Sequence, residues 1–421
     1  MKHSIKNLSE TAFIWLANAV TEARHDFPDL SGWSDHDWNV IKTISTIHGM
    51  GPLWGDAIRS DRCPQVIPEP LQNYFLRQLE ENRKRVERIF KTYQQISENL
   101  VANKINFIAL KGIRLAKEFY PAESLRPMAD LDIYVGAGQL ERVNSILVDL
   151  GYVIQKSDPK GATLYPQQQW QQMVESDPEA TWHGLTIVSD KPEWYDGENE
   201  SNPISIDTHS YVRMSDHFST YDLTRLFENA RVSGAAKVAN EVLFIHIAVH
   251  CANNLLASYG RWVQLYDLYL LCTRANLDNR VVIELGRELG VLHLLYLPLV
   301  LLRKTFKLPE TELELALGKC VGRRFKWLSQ RAELSEMSCC NPWGTNVLLT
   351  LLWTKNFRNL VTGVTREITK EKKEIVNTTS GNSDSVLQRL TRIIKSNLRQ
   401  QPRLVWRGLE LKGVNPNSHW K

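Results

Sequence analysis

The chain has 421 residues, 43% of them hydrophobic and 23% charged, the balance of a globular protein with length for two to four domains or subdomains and a sizeable core. Its formal net charge of +4 is uneven: residues 354–412 hold thirteen Lys and Arg against five Asp and Glu, which leaves the remainder net acidic. This composition excludes a disordered or fibrous chain. The longest uncharged apolar run, 289–302, contains His293 and Pro298 and is shorter than the ~18–20 residues of a membrane span.

The opening Met1-Lys2-His3 leads into a polar stretch without the apolar segment of a secretory leader. Six cysteines (Cys63, Cys251, Cys272, Cys320, Cys339 and Cys340) show no metal-site spacing, and a reducing cytoplasm is the expected compartment. Residues 1–30 carry Phe13, Ile14, Leu16, Ala17 and Val20 as an amphipathic helix. Ser34, with Asp37 three residues on, caps a second helix that Trp38, Ile41, Ile44 and Ile47 continue. Gly49, Gly51 and Pro52 break it. Pro64, Pro68 and Pro70 mark a loop, and Pro70 opens a long helix with Leu79, Val86, Ile89, Phe90, Tyr93 and Ile96 on its apolar stripe. His48 reads either as a helix-packing histidine or as a substrate contact.

Residues 107–135 read as strand, tight turn, short helix, loop and second strand. The apolar run 107–110 breaks at Lys111-Gly112. Ile113, Leu115, Ala116 and Phe119 follow at helical spacing, and Tyr120-Pro121 ends that helix. From Asp130 to Val135 charged and apolar residues alternate, so a strand places Asp130 and Asp132 on one face and Leu131, Ile133 and Val135 on the other. Two carboxylates one pleat apart repel each other and are costly to desolvate; a divalent cation with oxygen ligands is the common way to stabilise them.

Further on, 139–150 is an amphipathic helix stopped by Gly151, and 152–154 a strand. Residues 155–202 read as polar and loop-like, with room for a strand at 182–188 and an insertion at 193–202. Alternation at 204–209 then puts Ser205, Asp207 and His209 on one strand face, where a third carboxylate ligand would sit. Helices are expected at 242–250, 262–272, 285–302 and 313–328. The tail has a helical run at 347–353, a Ser- and Asn-rich linker at 369–384 and an amphipathic helix over 386–398. That last helix opposes six apolar residues to Arg389, Arg392, Lys395 and Arg399, and either its apolar face docks on the core or its basic face grips a polyanion.

His246 and His250, four apart beside Cys251, read as half of a zinc site or as helix packing; no Glu follows His246, so the zinc-protease motif is absent. There is no Gly-x-x-x-x-Gly-Lys-Ser/Thr loop and no Gly-x-Ser-x-Gly, which argues against a P-loop NTPase and a serine hydrolase.

Leu110-Lys111-Gly112 followed by Arg126-Pro127-Met128-Ala129-Asp130-Leu131-Asp132 and a later acidic strand resembles the DNA polymerase β-like nucleotidyltransferase superfamily, and within it a bacterial branch of largely uncharacterised nucleotidyltransferases. The resemblance runs, more weakly, from about Trp38 to about Pro309. It implies an α+β fold with a small mixed-sheet nucleotidyltransferase core (104–215) flanked by an N-terminal helical region (1–103), a helical domain (216–335) and a basic helical tail (336–421). It implies that Asp130, Asp132 and Asp207 bind Mg2+ and carry catalysis, and that Lys111, Gly112 and Arg126 bind nucleotide. Arg126 could equally pair with the nearby carboxylates. Where the superfamily has Gly-Ser or Gly-Gly, this chain has Gly112-Ile113, without the hydroxyl.

The expected activity is transfer of a nucleoside monophosphate from an NTP to an acceptor, a small molecule or protein in preference to nucleic acid, with no membrane span. Two other readings stand beside it: a degenerate nucleotide-binding protein of a larger assembly, and a nucleic-acid-directed nucleotidyltransferase gripping RNA or DNA through the basic tail.

Overall fold

The structure, a computed structural model, describes residues 4–21, 32–63, 67–176, 203–215, 220–234, 237–257, 259–338 and 353. The strand expected at 182–188, the insertion at 193–202, Cys339-Cys340, most of the run 347–353, the linker 369–384 and the basic helix 386–398 lie outside the described residues.

Four helices open the fold: α1 (Ile5–Thr21), α2 (Asp35–Ile47), α3 (Gly51–Arg59) and α4 (Glu69–Ala102). The cap at Ser34 forms as the sequence suggests. Asp37 N donates to Ser34 Oγ and Ser34 N donates to Asp37 Oδ2, at 3.4 and 2.9 Å, so two otherwise orphaned backbone donors of the first turn are satisfied. Pro70 sits in the first turn of α4, where a missing N–H costs nothing. His48 is fully buried, accepts from Trp262 N at 2.9 Å and meets Phe13 edge-on, the packing role of its two readings.

Among the described residues the sheet has five strands in the order β1-β2-β5-β4-β3: β1 (Ile108–Ala109), β2 (Asp130–Tyr134), β3 (Tyr152–Asp158), β4 (Gly161–Pro166) and β5 (Ser205–His209). Only β2 and β5 run parallel; the other pairings are antiparallel. Helices α5 (Gly112–Glu118), α6 (Leu140–Asp149) and α7 (Gln167–Ser176) sit between strands in sequence.

Residues 155–176 are therefore not loop: β3 continues to Asp158, a turn returns the chain as β4, and α7 follows. Asp158 Oδ1 accepts from Lys160 N and Gly161 N and closes that turn. Gly161 is required there, because a Cβ would lie 2.2 Å from the Thr208 carbonyl oxygen of β5.

A short hairpin, β6 (Arg213–Ser215) and β7 (Thr220–Asp222), leads into α8 (Thr224–Val232), α9 (Asn240–Leu256), α10 (Trp262–Arg274), α11 (Asn279–Glu288), α12 (Leu292–Phe306), α13 (Glu312–Cys320) and α14 (Arg323–Arg331). The single helix expected over 285–302 is two. Gly290 takes φ +71° and Val291 N donates to Gly286 O at 2.8 Å, a left-handed helix stop hidden inside an unbroken apolar run. The run 313–328 likewise divides, at Val321-Gly322. Among the described residues no helix is long and apolar enough to cross a membrane.

Two apolar cores result among the described residues. One joins α1–α3 and the first half of α4 (Leu71, Tyr74, Phe75, Leu79) to the later helices, with Trp262, Tyr266 and Phe306 stacked within it. The other packs the second half of α4 (Val86, Ile89, Ile96, Leu100) and α6 on the Leu131, Ile133 and Ile206 face of the sheet. The opposite sheet face, with Tyr134, turns to the first core.

Candidate active site

Period-two alternation on two parallel neighbours builds the site. Asp132 of β2 pairs in register with Asp207 of β5, and Asp130 with Ser205, so the three carboxylates share the face turned away from Leu131, Ile133 and Ile206. One oxygen from each of Asp130, Asp132 and Asp207 lies within 4.8 Å of the others, and no other trio of His, Cys, Asp or Glu among the described residues is grouped as a metal site. Burial first, then repulsion from Asp132, pushes the Asp130 carboxyl up to about 6. Burial, with Asp132 beside it, also raises that of Asp207. Asp207 Oδ1 is buried with no hydrogen-bond partner. Three close carboxylates, two of them electrostatically unfavourable and one with an orphaned oxygen, fit an all-oxygen divalent cation.

Asp132 differs from its neighbours. It is 7% exposed, and burial alone would raise its carboxyl, but Lys111 and His209 outweigh burial and hold it well below the usual carboxylate range. Lys111 Nζ stands 3.4 Å from Oδ2, and His209 Nε2 2.8 Å from Oδ1. Burial would lower the Lys111 ammonium; the aspartates reverse this and keep it charged.

Lys111 occupies the turn after β1 with φ +41° and ψ −102°, a region sparsely populated outside glycine. Gly112 begins α5. A Cβ there would sit 3.0 Å from both Arg126 Nη1 and Met128 Sδ, so the glycine lets the loop before β2 close on the turn. Arg126 itself is directed at Asp267 of α10, not at the strand aspartates.

Arg85 of α4, 4% exposed, donates through Nε to Met128 O and through Nη2 to Ala129 O, both at 2.6 Å, and to Pro203 O at 3.3 Å. One guanidinium thus ties down the segments leading into both carboxylate strands.

His246 and His250 project from α9 into a cavity of about 240 Å³ that Lys111 and His209 also line. Burial, reinforced by Lys111, pushes His250 down to about 3 and His246 well below its ordinary value. They border the carboxylate site and belong to no zinc cluster among the described residues. His209, His250 and Arg85 are additions to the residues expected from sequence. The alternation signal already placed His209 beside Asp207, and the four-residue spacing marked His250 together with His246 without linking them to the carboxylates, while nothing local pointed to Arg85.

The chain belongs to a family described as uncharacterised nucleotidyltransferase, whose model matches residues 34–307. No curated protein and no solved structure matches it.

Proposed function

We propose that the protein is a magnesium-dependent nucleotidyltransferase that moves a nucleoside monophosphate from an NTP to the hydroxyl of an acceptor, with a sheet of the polymerase β-like type as its catalytic core. The observation that carries this reading is the grouping of Asp130, Asp132 and Asp207 on two parallel strands beside Lys111; membership in a nucleotidyltransferase family supports it.

Asp130, Asp132 and Asp207 would hold the metal. Bound magnesium supplies charge neutralisation at the attacking and leaving oxygens of an in-line displacement at phosphorus. Asp207, with its raised carboxyl and unpartnered Oδ1, is suited to take the proton of the acceptor hydroxyl. Lys111 brings a point charge to the phosphates, and Gly112 lets the backbone approach them. Arg126 contributes through Nη1, which lies beside Gly112 while Nε and Nη2 engage Asp267. The acceptor is a small molecule or a protein, since the cationic surplus belongs to residues 354–412 and the rest of the chain, which holds Asp130, Asp132 and Asp207, is net acidic.

One observation favours a second reading, nucleotide binding without turnover: Lys111 and His209 both engage Asp132 and compete with a cation for its oxygens. Incubation with each labelled NTP and Mg2+, with and without cell extract, separates the two. Label moving to a small molecule, protein or RNA identifies the acceptor class. Nucleotide affinity with no label transferred by the parent, under conditions where Mg2+ binds, overturns the transferase reading.

A further inference from the structure

We propose that the cavity between the Lys111 turn and α9 is an oxyanion subsite that takes the polyphosphate tail of the nucleotide. The assignment rests on the nucleotidyl-transfer reading and gives to substrate binding residues that lie outside the strand motif.

The cavity wall is mostly polar, with Leu110 and Val212 as its apolar part, and each of its polar side chains carries a donor group. Lys111 and His209 form the side shared with Asp132; His246, His250, Asn253 and Asn254 come from α9, and Tyr211 and Arg213 from the chain after β5. No carboxylate lines it among the described residues. Two polar atoms of this wall are buried without a hydrogen-bond partner, His246 Nδ1 and Asn253 Oδ1, and His246 is 1% exposed. Such atoms are costly unless something meets them. Rotation of the Asn253 amide exchanges its oxygen for an NH2 donor. Asn254 Nδ2 lies 3.3 Å from His250 Nε2, so these two side chains hold each other in place on one helix face.

Donors from five side-chain types with no acid among them match a ligand that only accepts hydrogen bonds and carries negative charge, which is the description of phosphate oxygens. The volume, about 240 Å³, is below the ~300–1,000 Å³ that encloses a whole small-molecule ligand. It suits a chain of phosphates whose nucleoside lies outside. Position agrees: Lys111 and His209 line the cavity and also contact Asp132, so they connect it to the carboxylates where the attacked phosphorus would sit.

The test is calorimetric titration of the full chain with inorganic tripolyphosphate in EDTA, so that neither base nor metal contributes. The parent is expected to bind at one site per chain. Asn254→Ala and His250→Asn should each weaken binding at least tenfold with little change in melting temperature, and Asp130→Asn should bind at least as well as the parent. If His250→Asn melts early, Asn254→Ala decides alone. No binding by the parent, or parental affinity in Asn254→Ala, overturns the subsite. The transfer reading fails separately. Variant-sensitive tripolyphosphate binding in a protein that moves no label from any NTP leaves the subsite standing. Label transfer with variant-insensitive binding leaves transfer standing and removes the subsite.

Discussion

Arg126 closes on Asp267 through two parallel hydrogen bonds, Nε to Oδ1 at 3.0 Å and Nη2 to Oδ2 at 2.9 Å, across 141 residues of sequence. Tyr120 also donates to Asp267 Oδ1, at 2.7 Å, so one buried carboxylate fastens both ends of the loop between α5 and β2 to the helical side of the molecule. Burial alone would lower the guanidinium, but Asp267 outweighs it and keeps Arg126 charged. Removing one partner of a buried pair leaves an uncompensated charge, at a cost of ~3–5 kcal/mol. Asp267→Leu should therefore destabilise strongly to urea, and the double variant Asp267→Leu with Arg126→Met should recover much of the loss. A single variant within about 0.5 kcal/mol of the parent, the range of neutral surface changes, would show that the pair holds nothing.

The two aspartates of β2 should respond in opposite ways. Asp130→Asn removes a carboxylate that is raised by burial and by its neighbour, so its melting temperature should equal or exceed the parent's. Asp132→Asn strips Lys111 and His209 of their shared partner and should cost about 1–3 kcal/mol. Transfer should disappear in both. Saturating Mg2+ should stabilise the parent, by ~2.7 kcal/mol at a hundredfold excess over the dissociation constant, and leave Asp130→Asn unmoved. An equal Mg2+ shift in parent and variant is incompatible with the aspartate metal site.

Lys111 combines a charge with a strained backbone, and two substitutions separate them. Lys111→Ala and Lys111→Gly should both weaken NTP binding by ~1–3 kcal/mol, as expected for a charge-assisted contact. Glycine tolerates φ +41°, so Lys111→Gly should melt above Lys111→Ala. Calorimetry with NTP and Mg2+ reads the first effect and thermal denaturation the second. Unchanged affinity in both variants removes Lys111 from the nucleotide site.

Acid should unfold the protein partly through α9. His246 and His250 are neutral when folded, the latter with its ordinary value pushed down to about 3. The unfolded chain takes up their protons below about pH 6.5, the ordinary histidine value. The folded state binds fewer protons in that window, so stability is full above pH 6.5 and falls as pH drops toward 3. The slope is ~1.4 kcal/mol per pH unit for each histidine. Urea unfolding at pH 7.5 and pH 5 should show this slope, and His250→Asn should reduce it. An identical slope in the variant would mean that its imidazole titrates alike in both states.

Much of this site was legible because it is local. Asp130, Asp132, Asp207 and His209 obey strand alternation, and Lys111-Gly112 announces itself as a break between strand and helix. The Ser34 cap and the Pro70 helix start are equally short-range. What stayed hidden depends on which surfaces meet. Spacing places His246 and His250 on one face of a helix, but only the tertiary fold turns that face to Lys111. Asp267 gave no sign as Arg126's partner, and β4 was obscured because Gly161 weakens strand patterning for a reason, the Thr208 carbonyl, that lies 47 residues away.

Helix α4 runs 34 residues without a break, its first half in one apolar core and its second half in the other. Asn82 and Arg85 stand at the crossing, bonded to Ser124, Met128, Ala129 and Pro203. A hinge needs a few residues free to change their backbone angles, and a continuous helix anchored at both ends and at its middle provides none. The two apolar cores are therefore bridged by one unbroken rod, pinned at its crossing to the segments that lead into β2 and β5. On the nucleotidyl-transfer reading, Arg85 positions the entry to both carboxylate strands before any substrate arrives.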